Sequence, residues 1–396
     1  MALKILRVIA RLNVGGPARH VILLNHGLSA RGHRPLLIYG STSPGEGTLE
    51  HLAIDQKFPV FKIGSLSRRI SPISDVRALL RLIALMFHEA PDIVHTHTAK
   101  AGALGRLAAL AFNLTRPPSR RCLVVHTFHG NVLQGYFNPL MNVLIRLAER
   151  TLGRMTDRVV AISPRQQTEL IEIFRVATKR KLATIPLGLD LDPLLQLRAN
   201  ASNYRTPLAI PPEAIVLGYV GRMVPVKDLP MLVRAFALAL TSVPNLWLVM
   251  AGDGNQRFDL EKLAAEAAVA NRIRWLGWIH DLPRLYATMD ICALSSLNEG
   301  TPVAIIEAMA AAKAVVATAV GGVPDLVQDG VTGLLVQPRA AEAFASAIVR
   351  LARNTDERRQ FGENARQYVA ARHSRDRLVD DVERLYLSAL AGKRHH

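Results

Sequence analysis

Cysteines and long apolar runs are scarce in this chain of 396 residues. Only Cys122 and Cys292 occur, far apart in the sequence. This excludes a disulfide scaffold and a cysteine-rich zinc module, and it fits a reducing cytoplasm. No apolar run reaches the roughly 18 residues that a membrane-spanning helix needs. Lys4, Arg7 and Arg11 interrupt the first apolar run, which is therefore not typical of a signal peptide.

Acidic residues are outnumbered, since Lys+Arg total 49 and Asp+Glu total 32, which gives a net charge of +17. A hydrophobic content of 49% excludes a disordered chain. A basic excess is typical of proteins that contact a polyanion, an anionic membrane or phosphorylated substrates, but many cytosolic proteins are basic without a specific partner, and the charge alone does not decide between these explanations. Aromatic residues make up 5% and are not interleaved with basic residues, so we expect no nucleic-acid partner.

Short β-rich segments alternate with helical patterns along the chain, which predicts parallel sheets covered by helices on both faces. A proline-rich stretch interrupts this alternation and is predicted to be a linker. The predicted strands are 3–10, 34–39, 92–95, 122–126, 158–162, 182–185, 215–220, 246–251, 273–276, 291–294, 314–317 and 333–336. The predicted helices include 17–30, 72–89, 99–113, 138–153, 164–174 and the helical end 340–391.

We therefore predict an α/β protein of two doubly wound, Rossmann-like domains that face a central cleft. The predicted boundaries are 1–190 for the N-terminal, acceptor-side domain, 191–212 for the linker and 213–372 for the C-terminal domain, followed by a helical segment, 373–396. Ligands of such sheets bind at the carboxyl ends of the strands.

Gly15 and Gly16 join the first predicted strand to the first helix. Two glycines allow a positive φ and a close approach of the backbone, and Pro17 suits the first helical position. Free N–H groups at a helix N-terminus attract an anion. A plain strand-to-helix turn is the alternative, and the absence of a GxGxxG pattern disfavours a dinucleotide cofactor.

Two further loops carry charge. Arg222 and Lys227 follow the first strand of the second domain, where a forked and a compact cation suit a diphosphate. A solvated basic turn is the alternative. Glu299 and Glu307 flank a predicted helix start at which Thr301 can act as a cap, and each carboxylate can accept hydrogen bonds from sugar hydroxyls.

Four histidines end two neighbouring predicted strands: His95, His97, His126 and His129. We expect them at one edge of the sheet. A metal site is not predicted, because no Asp, Glu or Cys stands at ligand spacing. Packed groups are the main interpretation, with His129 facing the cleft.

The Gly15-Gly16 loop, the Arg222…Lys227 pair, residues 252–254 and the Glu299-x7-Glu307 element together resemble the retaining glycosyltransferases of family 4, which have the GT-B fold. Residues 95–106 and 126–130 resemble the bacterial polysaccharide-building branch of that family. The resemblance covers nearly the whole chain. Many relatives have Gly where Asp228 stands here, which puts the shape of that loop in question.

The resemblance implies a nucleotide-diphosphate sugar as donor, held mainly by the second domain, with UDP favoured over GDP. It implies no cofactor, no metal, a saccharide or lipid-linked acceptor, and a final helix that crosses back onto the first domain. His129 would touch the transferred sugar and Glu299 would contact it, so both are candidate catalytic residues. The implied donor-binding residues are Gly15, Gly16, Arg222, Lys227, Gly300, Thr301, Val303 and Glu307.

The implied reaction is a transfer with retention, in which the acceptor attacks from the front face and the leaving phosphate acts as base. We expect a cytoplasmic protein, placed peripherally at the inner membrane face by the segment 116–121 and by Arg146, Arg150 and Arg154; a solvated face is the alternative. The rival functions are a nucleotide-sugar epimerase, a nucleic-acid-binding protein and a non-catalytic sugar-nucleotide sensor.

Overall fold

The computed structural model describes residues 2–43, 47–55, 58–130, 139–197 and 201–394. The β-strands of this part of the chain are β1 Lys4–Ile9, β2 Arg34–Tyr39, β3 Val60–Lys62, β4 Ile93–His97, β5 Leu123–Thr127, β6 Arg158–Ala161, β7 Leu182–Thr184, β8 Ile215–Val220, β9 Leu246–Ala251, β10 Ile273–Gly277, β11 Ile291–Leu294, β12 Ala314–Thr318 and β13 Gly333–Val336.

Helices connect almost all of these strands, and a π-helical turn, Glu169–Ile173, continues the sixth helix. The α-helices are α1 Gly16–Ala30, α2 Glu50–Ile54, α3 Pro72–Glu89, α4 Ala99–Leu114, α5 Pro139–Arg154, α6 Pro164–Thr168, α7 Asp192–Leu195, α8 Leu229–Ser242, α9 Arg257–Glu266, α10 Leu282–Thr288, α11 Val303–Ala310, α12 Ala341–Arg353, α13 Thr355–Arg372 and α14 Arg375–Arg394.

The chain divides into two compact units, one formed by Met1–Leu189 with Ser374–His396 and the other by Asp190–His373. The first holds a parallel sheet of order β3-β2-β1-β4-β5-β6-β7 and the second one of order β10-β9-β8-β11-β12-β13. The strand order reverses between β1 and β4 and again between β8 and β11. The predicted doubly wound α/β architecture is confirmed, and each reversal is a switch point, where ligands of such sheets bind.

The first unit buries apolar residues on both faces of its sheet. α1 and α14 cover one face, around Ile5, Ile93 and Tyr386, and α3 and α4 cover the other. The helices α1 and α14 pack closely at Gly27, which has no side chain. A Cβ atom there would lie only 2.4 Å from Val379 Cγ2. The last helix of the chain therefore forms part of the core of the first unit.

The second unit has a continuous core in which β8 and β9 pack against α8 and α12. Phe236 and Phe344 are fully buried there, in one cluster with Leu248 and Met250 of β9. Because strands buried on both faces need apolar residues at every position, β9 reads as the unbroken run LWLVMA.

Several local expectations differ from the structure. The sequence patterns predict neither β3 nor α2. β3 has three residues and lies largely exposed at the sheet edge, and α2 has five residues. The predicted helix 164–174 changes to π-helical pairing at Glu169. The helical end 340–391 is three helices, and the predicted linker contains α7. Residues 138 and 198–200, which fall in a predicted helix and in the linker, lie outside the described residues. Within the described ranges, no helix is both long and apolar enough to cross a bilayer.

Candidate active site

The charged residues predicted to bind a donor in the second unit follow two neighbouring strands. Arg222 and Lys227 follow β8, Glu299 follows β11, and Glu307 lies on α11. β8 and β11 pair directly in parallel. Their carboxyl ends therefore meet at the switch point, and the sheet brings these four residues to one edge.

Backbone and side-chain contacts fix the loop after β8. The hydroxyl of Tyr219 donates to the carbonyl of Arg222 at 2.8 Å, and the N–H of the buried Met223 donates to the carbonyl of Asp253 at 2.9 Å. Asp228 has φ 45° and ψ 47°, a left-handed conformation that glycine adopts easily and that Asp tolerates. Asp228 therefore makes the type of turn that a glycine would make at this position.

An ion pair joins the two loops. The ammonium of Lys227 contacts Oε1 of Glu299, and the side chains are only 19% and 12% exposed. The hydroxyl of Ser296 donates to the same oxygen at 2.6 Å, and the N–H of Leu297 donates to the carbonyl of Val226 at 2.8 Å. Two residues with separately predicted ligand roles thus contact each other directly.

The second carboxylate is almost fully enclosed. Glu307 is 6% exposed, and its Oε2 lies 3.0 Å from the hydroxyl of Tyr286, which also lies 3.0 Å from the carbonyl of Ala304. Burial, together with the neighbouring Glu307 carboxylate, raises the pKa of Cys292 to about 12. A carboxylate in such surroundings needs partners, and Tyr286 supplies one of them.

The start of α11 differs from the expectation. The helix begins at Val303 with Pro302 as its N-cap residue, and no side chain caps it. The predicted capping by Thr301 is wrong, because Thr301 precedes the N-cap position. Its Oγ1 is buried and has no hydrogen-bond partner among the described residues. Gly300 is half-buried in the loop before it. Unsatisfied N–H groups and an unpaired hydroxyl thus lie near Glu299.

The glycine loop of the first unit has a different local geometry from the predicted one. Gly15 has an extended backbone with φ 168° and ψ 166°, Gly16 is already helical, and Pro17 is the second residue of α1. The expected positive φ is therefore wrong for Gly15. The described residues impose no steric need for glycine either, because a Cβ atom there would meet nothing closer than Asn13 Nδ2 at 3.8 Å, an ordinary contact distance. The helix end has no side-chain cap.

A buried polar network lies at the switch point of the first unit. Nη1 of Arg7, on β1, lies 3.0 Å from Nδ1 of His95 and 3.0 Å from Nε2 of His97, both on β4. Nδ1 of His97 lies 2.8 Å from Nε2 of His129. The ring of His20, on α1, lies 4.9 Å from that of His129. His129 thus lies near the N-terminal part of α1.

Burial lowers the pKa of every histidine in this network below its ordinary value, and the charge of Arg7 adds to the effect at His95 and His97. The pKa of His20 is lowered chiefly by burial and next by His129. For His129, burial first and Arg7 second lower the pKa to about 3. These rings are therefore neutral at physiological pH.

One of the four predicted histidines lies on the other face of the sheet. His126 accompanies Thr96, whose Oγ1 lies 2.8 Å from its Nδ1, and it packs on α4, where a Cβ atom at Gly102 would lie 2.4 Å from His126 Cε1. Because successive side chains of a strand point to opposite faces, His126 and His95 cannot share a site. The strand ends that carry these histidines do lie at the same edge of the sheet, but His126 is on the opposite face and is not part of the network.

One ring nitrogen from each of His20, His97 and His129 lies within 4.8 Å of the other two, a spacing that would allow all three to bind one metal ion. The donor set does not suit one. Arg7 can only donate hydrogen bonds, so Nε2 of His97 must accept and its proton must be on Nδ1. If Nδ1 of His97 bound a metal ion, its proton would have to move to Nε2, and Nε2 could then no longer accept from Arg7. The residues favour a hydrogen-bonded cluster over a metal site.

Arg7, His20 and Tyr386 are members of this network that the sequence analysis did not single out. The hydroxyl of Tyr386, on α14, accepts from Nη2 of Arg7 at 3.1 Å and lies 2.6 Å from Nδ1 of His95. One signal was available for Arg7, since an arginine within a buried strand needs partners. No local signal could pair it with a tyrosine 379 positions away.

Known families match both units of the chain. The family described as Glycosyltransferase Family 4 matches residues 14–193, and that described as Glycosyl transferases group 1 matches residues 200–368. The chain belongs to glycosyltransferase family 4. The resemblance stated from the sequence motifs is thereby confirmed.

This family 4 glycosyltransferase is 27% identical over 345 residues to the UDP-Gal:alpha-D-GlcNAc-diphosphoundecaprenol alpha-1,3-galactosyltransferase of Escherichia coli, with 86% of each chain covered. It is 31% identical over 317 residues to the D-inositol 3-phosphate glycosyltransferase of Geodermatophilus obscurus, with 75% of this chain and 66% of that protein covered. Its fold matches that of HepE from Anabaena, solved in complex with UDP and glucose, with a TM-score of 0.82, 22% identity and coverage of 98% and 100%. The predicted two-domain GT-B fold is confirmed.

Proposed function

We propose that this glycosyltransferase moves a hexose-type sugar from a nucleotide-diphosphate sugar, with UDP favoured, to an acceptor hydroxyl with retention of configuration. The observation that carries the proposal is the ion pair of Lys227 with Glu299 at the switch point between β8 and β11, with the buried Glu307 on the helix that follows, α11. A compact cation suits the diphosphate, and two carboxylates suit the hydroxyls of a sugar and a ribose.

The contacts of Lys227 and Glu299 leave room for both proposed roles. The ammonium has three donors, of which Glu299 takes one, so two can bind phosphate oxygens. Lys227 and Ser296 both use Oε1 of Glu299, and no hydrogen bond within the described residues reaches Oε2. Oε2 can therefore accept from a hydroxyl of the donor sugar, while the exposed Arg222 adds a second cation to the diphosphate.

Charge flow during the reaction accounts for the cations. Breaking the C1–O bond of the donor leaves negative charge on the diphosphate, which Arg222, Lys227 and the N–H groups at the start of α11 stabilise. The sugar becomes oxocarbenium-like. With Glu299 and Glu307 assigned to hydroxyls, we propose that the acceptor attacks from the face that the diphosphate leaves and gives its proton to a phosphate oxygen.

Donor binding without a metal ion is part of the proposal, because Arg222 and Lys227 take the place that Mg²⁺ has in many enzymes of nucleotide chemistry. We expect the same initial rate in buffer with EDTA as in buffer with Mg²⁺. Activity that disappears with the chelator and returns with Mg²⁺ would contradict this part.

The acceptor and place of action are proposed from the relatives. The Escherichia coli relative is named for transfer from UDP-Gal to a diphosphoundecaprenol-linked sugar. We propose an acceptor of that class, a saccharide carried by a lipid diphosphate, used in the synthesis of a cell-surface glycan at the cytoplasmic face of the inner membrane.

A panel assay tests the reaction class. The protein is incubated with UDP- and GDP-sugars, with and without lipid-linked saccharides, and nucleotide release and product are followed. Release that needs both partners, and a product whose anomeric proton signal matches the donor configuration, are expected. Isomerised donor without acceptor would identify an epimerase, and binding without turnover would identify a sensor. Binding of DNA with a steep salt dependence would favour the nucleic-acid alternative.

The basic segment 116–121 supports the proposed membrane contact. The guanidinium of Arg116 lies 6.0 Å from the ring of Phe87, at the end of α3. Ile73, Val76 and Leu80, on the same helix, are 69%, 56% and 60% exposed. The exposed Arg77 and Arg81 lie among these apolar residues on α3, and such a mixture is typical of a helix that lies on an anionic bilayer.

The helix α5 contributes less through its arginines than the sequence suggests. Nε of Arg146 and of Arg150 donates to backbone carbonyls, those of Asn142 and Phe174, so these two are half-buried. Four apolar residues of α5 are exposed, Met141, Val143, Leu144 and Leu147, and of its three predicted arginines only Arg154 is exposed. We expect this face to enter the lipid rather than to bind headgroups.

Co-sedimentation with vesicles tests this contact. The variant Ile73→Ser/Leu80→Ser is expected to bind phosphatidylglycerol vesicles less than the parent does, whereas Leu238→Ser, an exposed leucine of the second unit, is expected to bind equally well. Equal binding of the parent to neutral phosphatidylcholine vesicles would contradict an anionic surface as the partner.

A further inference from the structure

A chain of hydrogen bonds leads from a buried cation to His129. The guanidinium of Arg7 reaches Nε2 of His97 at 3.0 Å, and Nδ1 of His97 reaches Nε2 of His129 at 2.8 Å. Nδ1 of His129 is buried and has no hydrogen-bond partner among the described residues. The chain thus ends in an unused polar atom of His129, a residue for which the family resemblance implies contact with the transferred sugar.

The direction of each bond follows from the first. A guanidinium has donors and no acceptor, so Nε2 of His97 carries no proton. A neutral imidazole has one N–H, so His97 donates from Nδ1 to Nε2 of His129. His129 then accepts at Nε2, and its own proton must be on Nδ1. The hydrogen bond from Arg7 therefore determines the tautomers of both His97 and His129.

Other contacts hold Arg7 in this orientation. Its Nε donates to Oδ1 of Asn25 at 2.5 Å and its Nη2 to the hydroxyl of Tyr386 at 3.1 Å. Nδ1 of His95 accepts from Nη1 of Arg7 and from the hydroxyl of Tyr386, so His95 carries its proton on Nε2 and donates to Thr127 Oγ1 at 2.7 Å. Within the described residues no carboxylate pairs with Arg7, so none competes with His97 for its donors.

The surroundings also oppose protonation of His129. Arg7 is a fixed positive charge, and the facing rings, His97 from β4 and His20 from α1, have lowered pKa values as a result of burial. A proton on Nε2 of His129 would face the Nδ1–H of His97. Protonation there would force His97 to change tautomer and lose its bond from Arg7.

We propose that Arg7 and His97 are positioning residues that hold His129 as a neutral imidazole with its proton on Nδ1. His129 then serves as a hydrogen-bond donor toward an oxygen of the transferred sugar, and not as a general acid or base. This role rests on the proposed function, whereas the tautomer itself does not.

Nitrogen NMR of the full chain, with ¹⁵N-labelled histidine and no substrate, tests the tautomers directly. The ring signals of His129, identified among 13 histidines by their loss in His129→Asn, are expected to show Nδ1–H and to stay unchanged from pH 5.5 to 8. In His97→Phe, which keeps a ring of similar shape, His129 is expected to show both tautomers. His126→Phe, on the other face of the sheet, is expected to leave the His129 signals unchanged.

Kinetics test the consequence. Free imidazole prefers the Nε2–H form, so loss of the relay in His97→Phe should lower kcat/KM about five-fold, as the competent fraction falls. His97→Gln, whose amide can accept from Arg7 and donate to His129, should restore most of the rate. Arg7→Met can fail to fold, so the test uses the His97 variants and not a variant of Arg7.

Three results would overturn the inference: an Nε2–H signal for His129 in the parent, parent-like His129 signals in His97→Phe, or stoichiometric binding of Zn²⁺ with loss of the Nδ1–H signals. Inactivity with every sugar nucleotide would instead overturn the proposed function and leave the tautomer result standing. The two failures are therefore distinguishable.

Discussion

Replacement of Glu307 by glutamine separates a binding role from a structural one. The side chain is 6% exposed and keeps its shape in Glu307→Gln, but it loses its charge and one of its two acceptor oxygens. If both oxygens bind ribose hydroxyls, the variant loses one hydrogen bond to a charged group. Such a bond contributes about 1.5–3 kcal/mol, so the affinity for UDP should fall roughly 10- to 150-fold.

The stability of the same variant should change little. A glutamine oxygen can still accept from the hydroxyl of Tyr286, which lies 3.0 Å from Oε2 of Glu307. Removal of a charge from a nearly buried position offsets any hydrogen bond lost, so the free energy of unfolding should stay within about 1 kcal/mol of the parent value.

Isothermal titration calorimetry with UDP and urea unfolding measure the two quantities. Glu357→Gln is a matched control, because Glu357 pairs with Arg350 on other helices of the same unit and should leave UDP affinity unchanged. A UDP affinity within two-fold of the parent in Glu307→Gln would refute the ribose assignment. A large loss of stability with unchanged affinity would identify Glu307 as a structural residue.

Three more changes have defined outcomes. Lys227→Met should lower kcat by about 10²–10³-fold in a UDP-release assay, as expected for loss of a group that stabilises developing charge; an unchanged rate would exclude this role. Glu149→Gln leaves Arg106, which is fully buried and bound to both carboxylate oxygens at 2.9 and 2.8 Å, without its counter-ion, so urea unfolding should show a loss of about 3–5 kcal/mol. Hydrogen bonds from His33 and then Arg31 lower the pKa of Glu383 below 4.5, so its stabilisation is complete above that pH and is lost as the pH falls through the lowered value; Glu383→Gln should flatten this acid limb in unfolding measurements, and an unchanged limb would contradict the assignment.

The fold was predictable because its signals are local. An apolar run such as β9 and the repeated alternation of strand and helix are enough to indicate parallel sheets with covered faces. The edge strand β3 was not predicted, since it has three residues and little burial. The change to π-helical pairing at Glu169 depends on how the helix packs, and periodicity does not report that.

The candidate site was predictable only in part. The sheet brings Lys227 and Glu299 together because both follow neighbouring strands, β8 and β11. Their positions in loops after predicted strands already indicate that they lie at the carboxyl edge of the sheet. Their mutual ion pair was not predictable, since it depends on side-chain conformations that sequence positions do not report. The assigned roles of these residues stay predictions.

The first-unit network shows the limit most clearly. His97 and His129 were visible as strand-end histidines, but their tautomers depend on Arg7 and thus on contacts across the sheet. The face that His126 occupies depends on the register of β5 against β4, which pairs His126 with Thr96, and the sequence does not give that register.

The most direct test of the central claim is a crystal structure of the full chain with an unhydrolysed UDP-sugar. The account predicts the diphosphate at Lys227 and the start of α11, with the ribose at Glu307. A sugar nucleotide bound elsewhere than the switch point between β8 and β11 would contradict it.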